Sequence, residues 1–323
     1  MAKGAMGELP IRYYSDITAR KVDWLWYPYI PFGKITIVQG DPGDGKTTLL
    51  LHIAAFLSTG QPMPGDVDIK DCMDVIYQSA EDGAEDTLKP RLVSAGADCS
   101  KISFIDGTES TFSLTDTRLE SAIHESGARL LVLDPLQAYL GDNGEINRAV
   151  GVRPILKRLA AVAERTNCAI VLIGHMNKAN GSKGIYRGLG SIDITAIARS
   201  VLLVGRLRDD PSVRVIAHLK SSLAKEGASI AFEIGDDSSL RWLGERDITA
   251  SELLGGDGDS GDNGKVSSAM LSLREMLSSG ARPCLEIYTS FYDMGISKRS
   301  VDRAKRTLGV KSVKHADGWY WSL

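Results

Sequence analysis

Cysteine is scarce and scattered in this 323-residue chain. Cys72, Cys99, Cys168 and Cys284 show no Cys-x-x-Cys spacing, which argues against a zinc site and suits reduced thiols in a cytoplasm. No apolar run approaches the roughly 20 residues of a membrane-spanning helix. The opening MAKGAMGELP carries no apolar core of the kind a secretion signal needs. The formal net charge is only −3, so no overall field draws nucleic acid and any such site must be local. The expectation is a cytoplasmic protein with no membrane partner. Apolar content of 43% and charged content of 24% supply an ordinary globular core, enough for one large or two unequal domains.

The richest stretch is ITIVQGDPGDGKTTLLL, from Ile35 to Leu51. Ile35 to Val38 read as a short buried strand, and Leu49 to Phe56 as the apolar body of a helix. Between them lies Gly-x-x-x-x-Gly-Lys-Thr, the phosphate-binding loop pattern in the strand–loop–helix context its mechanism requires. Gly40, Gly43 and Gly45 let the backbone, with Asp44, wrap a polyphosphate so that amide N–H groups point inward. The helix start at Lys46, Thr47 and Thr48 adds its positive dipole end. Lys46 is expected to reach the β- and γ-phosphates of ATP, and Thr47 to hold Mg²⁺.

Downstream, apolar strands alternate with helical patterns. Val75 to Ser79, Ile102 to Ile105, Leu130 to Leu133, Ala169 to Ile173, Val201 to Val204, Val213 to His218 and Ala228 to Ile234 read as strands. Thr87 to Ala95, Leu119 to Ser126 and Val152 to Thr166 read as helices. Strands apolar throughout predict an α/β fold with a mostly parallel sheet covered on both faces. The aromatic run VDWLWYPYIPFG, Val22 to Gly33, is expected to pack over the sheet edge or against a neighbouring subunit.

The strand ends carry the chemistry. Leu130 to Asp134 delivers a carboxylate to the Mg²⁺ shell, and Pro135 occupies the place where many related ATPases put a catalytic Glu. A base must come from elsewhere. Glu81, at the tip of the strand after the phosphate-loop helix, is the candidate to orient and deprotonate the attacking water, with Asp82 as fallback. His175 ends the next strand, where a polar residue can sense the γ-phosphate.

Lys46-Thr47, Glu81, Asp134 and His175, in this order on successive strand ends, resemble the RecA-like P-loop NTPase core. The DnaB-like and plasmid RepA-type hexameric replicative helicases are the nearest group. The stretches WLWYPYIPFGKITIVQGDPGDGKTT, GHMNK and GSIDITAIARSVLLVGR fit it, across residues 20–235. The resemblance implies a homo-oligomeric ring, expected to be hexameric, whose ATP sites lie between subunits. A basic finger would then come from the neighbour: Arg206 first, with Arg208 or Lys220 as further candidates. The helicases' Lys-x-Arg reads Lys220-Ser221-Ser222 here, so its arginine is missing. The segment Met176 to Ser191, with Lys178, Lys183, Tyr186 and Arg187 and no acid, matches the loop that lines the ring and grips single-stranded DNA.

The domain division expected is 1–250 for the ATPase, 251–264 for a Gly/Asp-rich linker and 265–323 for a small second domain. The tail has ten Lys and Arg against five Asp and Glu, a surplus of five positive charges. With the whole chain at −3, the preceding part is at −8. Two helices, a basic helix capped by Ser297 and a hairpin near Asp317-Gly318 give the order of a winged helix, which the tail resembles. Arg299, Arg303 and Arg306 share one face of the basic helix and are expected to meet duplex DNA.

Overall fold

The computed structural model describes residues 11–66, 71–106, 112–140, 149–176, 192–254, 262–278, 280–315 and 318–322. The chain forms two compact units, Met1–Leu254 and Gly255–Leu323.

The first unit opens with a short ribbon, β1 (Trp24–Trp26) and β2 (Ile30–Pro31), followed by β3 (Ile35–Gly40) and α1 (Lys46–Thr59). Then come β4 (Val75–Ser79), α2 (Lys89–Ser94), β5 (Ile102–Ser103), α3 (Leu119–Ser126), β6 (Leu130–Asp134), α4 (Ala149–Thr166) and β7 (Ala169–His175). The unit closes with α5 (Ile192–Ile197), β8 (Ser200–Arg206), β9 (Val213–Ser221), β10 (Ser229–Ile234), β11 (Leu240–Arg246) and α6 (Ala250–Leu253).

Nine of these strands make one sheet in the order β11-β10-β9-β8-β3-β7-β6-β4-β5. The run from β8 to β5 is parallel, and β9, β10 and β11 add antiparallel to it. Helices cannot leave the faces of such a sheet open, because its strands are apolar on both sides. On one face Leu49, Leu50, Ile53 and Leu57 of α1 pack with Val38, Val132 and Val171. On the other, Leu119, Ile123, Leu156 and Leu159 of α3 and α4 pack with Ile37, Leu131 and Leu172. This is the mostly parallel α/β sheet of a RecA-like P-loop NTPase. Among the described residues no helix is long and apolar enough to cross a membrane.

Much of the aromatic run is core, though Tyr27 is exposed. Leu25, Trp26, Tyr29 and Ile30 are buried on the α1 face, and the Trp26 indole N–H donates to Pro64 O at 2.9 Å. Two differences from the expected layout have local causes. The helix after β4 is shorter than Thr87–Ala95, because a π-helical turn takes up Ala84–Leu88 before α2 begins. The segment expected to be linker from 251 is helical through Leu253, since Thr249 and Glu252 form a reciprocal capping box.

The second unit contains α7 (Asp262–Ser278), β12 (Arg282–Pro283), α8 (Cys284–Asp293), α9 (Lys298–Thr307), β13 (Lys311–His315) and β14 (Gly318–Ser322). Its sheet runs β12-β14-β13, all antiparallel. Ala269, Leu273, Phe291, Val301, Ala304 and Trp321 form its core. Ser297 caps α9 by accepting from Ser300 N.

Candidate functional site

The site assembles at the C-terminal ends of β3, β4, β6, β7 and β8, around the loop Gly40–Gly45. Parallel pairing brings these ends level: Gly40 stands opposite His175, Gln39 opposite Leu203, and Ser79 opposite Asp134. The loop leaves the sheet under tight steric control. A Cβ on Gly40 would lie 2.1 Å from the Val204 carbonyl oxygen of β8, so only glycine fits. Gly43 and Gly45 take φ of +82° and +88°, in the left-handed region where glycine carries no Cβ penalty. Asp44 Oδ2 accepts from Asp41 N at 2.9 Å and closes the turn.

Lys46, the first residue of α1, is 4% exposed and folds back into the loop. Its ammonium donates to Gly40 O at 3.0 Å and Asp41 O at 2.8 Å. Burial lowers its pKa, and the nearby Asp44 and Asp134 carboxylates oppose that shift. Thr47 Oγ1 donates to Asp134 Oδ2 at 2.7 Å, and Tyr77 Oη donates to the same oxygen at 3.1 Å. Burial raises the Asp134 pKa, and these two hydrogen bonds hold it back. A buried carboxylate that keeps a hydroxyl this close has the hard oxygen donors Mg²⁺ prefers. The residues fit the cation and the polyphosphate alike.

Glu81 and His175 meet at the open side of the site. The Glu81 Oε2 to His175 Nε2 distance is 3.8 Å. The Ser79 hydroxyl sets the Glu81 turn, accepting from Glu81 N at 3.3 Å and Asp82 N at 3.0 Å. Ala80 N donates to Asp134 O at 2.9 Å, which ties that turn to β6. Asp82 is held by Arg91 at 3.2 Å, leaving Glu81 as the carboxylate that faces the site.

Within the single chain Arg206 and Lys220 have partners of their own. Arg206, read as a donor to a neighbour, bonds its own loop: Nη2 donates to Gly43 O at 2.7 Å and Nε lies 3.5 Å from Asp44 Oδ1. The cause is geometric, since β8 lies directly beside β3 and its last residue overhangs the loop. Lys220 is turned onto carbonyls at the end of α5, donating to Thr195 O and Ala198 O at 2.8 Å each. Arg208 is exposed.

One residue escapes a reading by local spacing. Arg214 on β9 packs its Cδ and Nε 3.1 and 3.2 Å from where a Gly45 Cβ would lie. Cross-strand placement puts it there, and nothing in the neighbouring sequence signals that. Lys178, Lys183, Tyr186 and Arg187 fall outside the described residues, as do the side chains of Arg299 and Arg303; Arg306 is exposed on α9.

Comparison with known proteins agrees with this architecture. A family model described as an AAA domain matches residues 11–181, more than half of the chain. The DNA repair protein RadA of Halalkalibacterium halodurans is 30% identical over 156 residues, which are 47% of this chain and 30% of that protein. The RadA of Bacillus subtilis is 27% identical over 156 residues. Protein RecA of Rickettsia massiliae is 24% identical over 250 residues, 72% of this chain and 69% of that protein. The chain thus spans about 30% of the length of these RadA relatives.

Proposed function

The chain belongs to the AAA domain family, and from that footing we propose that it is an ATP-hydrolysing, DNA-dependent motor that assembles as a ring on single-stranded DNA. The observation that carries the ATPase part is the 2.7 Å bond from Thr47 to Asp134, set directly beneath the phosphate loop. Lys46, Thr47, Thr48 and the loop amides bind the polyphosphate. Mg²⁺ held by Thr47 and Asp134 would supply charge neutralisation at the phosphate oxygens. Glu81 orients the attacking water and takes its proton, and His175, 3.8 Å away, senses the γ-phosphate.

The DNA-directed part rests on different support. The relatives are named for DNA repair and as RecA. The basic segment 176–191 follows β7 in the sequence and carries Lys178, Lys183, Tyr186 and Arg187. Residues 265–323 form the second proposed domain, a winged helix that meets duplex DNA through α9. Arg299, Arg303 and Arg306 would contact backbone phosphates. Arg208 is the residue left to serve a neighbouring subunit's site, in a ring proposed to be hexameric.

A second reading, a recombination-type ATPase without unwinding, is favoured by the RecA similarity over 72% of the chain. One set of measurements separates them: ATPase turnover with and without single-stranded DNA, and strand displacement on a forked duplex. The motor requires DNA-stimulated turnover with displacement. Stimulated turnover with none, and filaments on imaging, would replace it with the recombination reading.

A further inference from the structure

Arg206 and Arg214 stand directly opposite each other on the antiparallel pair β8–β9. Opposed residues of such a pair project from one face, with Cβ atoms roughly 5 Å apart, and like charges so placed repel. This chain nevertheless sets two guanidinium groups there, at the end of the sheet beside the phosphate loop.

Together they reach three successive loop residues, Arg206 meeting Gly43 and Asp44 and Arg214 packing against Gly45. Arg206 Nη2 donates to Gly43 O at 2.7 Å, its Nε lies 3.5 Å from Asp44 Oδ1, and Nη1 touches Pro211 O at 3.5 Å. Arg214 Nη1 donates to Ser212 O at 3.0 Å, anchoring the guanidinium to the β8–β9 turn. Its Nε is buried without a hydrogen-bond partner, against Gly45. Burial lowers the Arg214 pKa, and the Arg206 charge adds to the shift. The pair's mutual repulsion is offset in part by Asp44, and a polyphosphate bound at the adjacent loop would add counter-charge. Asp44, which Arg206 meets from outside and the Asp41 amide from inside, couples the pair to the loop's turn.

We infer that Arg206 and Arg214 act in cis, as positioning residues that hold Gly43–Gly45 of their own chain's loop ready for a nucleoside polyphosphate. The inference rests on the reading of that loop as the nucleotide site. It assigns Arg206 to the subunit that carries it, and makes Arg214 a determinant of nucleotide affinity.

The test combines a titration with a mixing experiment on the full chain. Binding of a fluorescent ATP analogue is measured for wild type, Arg206→Ala, Arg214→Ala and the two lysine substitutions. Charge-assisted hydrogen bonds of this kind predict a rise in Kd of about 10- to 100-fold for each alanine variant. The KM for ATP should rise alongside while kcat is largely kept, and lysine should restore part of the affinity. Arg206→Ala is then mixed with Lys46→Ala across a range of ratios. At ATP below the raised KM, where Arg206→Ala turns over slowly, positioning in cis gives no recovery of turnover on mixing, because each chain keeps its own defective site. Unchanged affinity in the variants with collapsed kcat, or recovered turnover on mixing, overturns the inference. Should the alanine variants fail to fold, the lysine variants and their mixture with Lys46→Ala separate the same two outcomes. Failure of wild type itself to bind the analogue would instead bring down the nucleotide reading.

Discussion

The Glu81 carboxylate lies 3.8 Å from the His175 imidazole, across the ends of β4 and β7, two strands that flank β6 and its Asp134. In the proposed mechanism Glu81 acts on the attacking water, a role distinct from phosphate binding by the loop. Glu81→Gln keeps the side chain's size and removes its basicity. The expected outcome is a fall in kcat of about 10²- to 10⁴-fold with ATP binding retained. Steady-state turnover beside a binding titration checks it. Turnover near the wild-type rate would pass the role to another group, and Asp82 is a poor one, since Arg91 already holds it.

Asp134 is costly to the empty fold. Its pKa is raised by burial, so the native state holds a proton more tightly than the unfolded chain does. Stability from this group therefore falls as pH rises from the ordinary carboxylate range through the raised native value, and the cost persists at neutral pH. Asp134→Asn should leave the ligand-free protein at least as stable at neutral pH, while abolishing the extra stabilisation that Mg²⁺ and ATP together provide. Thermal melts with and without Mg·ATP test both halves. A variant that melts several degrees lower without ligand would show that the carboxylate's bonds to Thr47 and Tyr77 outweigh its burial.

Gly40 is fixed by a neighbour outside its own loop. Its α-carbon lies so close to β8 that a Cβ would come within 2.1 Å of the Val204 carbonyl. Backbone, unlike a side-chain tip, cannot swing aside. Gly40→Ala should cost about 3 kcal/mol, the upper end of usual overpacking penalties. A urea midpoint unchanged from wild type would rule this close approach out.

The strand ends are legible in the sequence because phosphate chemistry is written locally. Gly40 to Thr48 is a contiguous pattern, Asp134 and His175 each close an apolar run, and Glu81 follows soon after the apolar start of β4. Cross-strand relationships are not written that way. β11 (LRWLGER) is hard to see because it is a half-exposed edge strand whose charged residues hide Trp242 and Leu243. Arg206 reads as a residue in a loop, whereas β8–β9 pairing makes it the partner of Arg214 above the loop of its own chain. The capping box at Thr249 and Glu252 is a local signal, and it extends the first unit past the expected boundary at 250.

His218 supplies a prediction about acid. Its ring lies parallel to Tyr29, 5.0 Å away with 8° between planes, and its Nδ1 accepts from Gly227 N at 3.0 Å. Burial lowers its pKa to about 4. An unfolded histidine titrates near 6.5, so as pH falls the unfolded chain binds the proton first. Stability is then lost between pH of about 6.5 and about 4, by roughly 3 kcal/mol when complete. His218→Phe keeps a ring for Tyr29 but takes up no proton, and it forfeits the acceptor for Gly227 at a cost of about 1 kcal/mol. The variant should therefore start lower at neutral pH and lose less on acidification, so that the two stability curves converge and cross. Urea unfolding at a series of pH values measures both slopes. Parallel curves would place the acid sensitivity on groups other than His218.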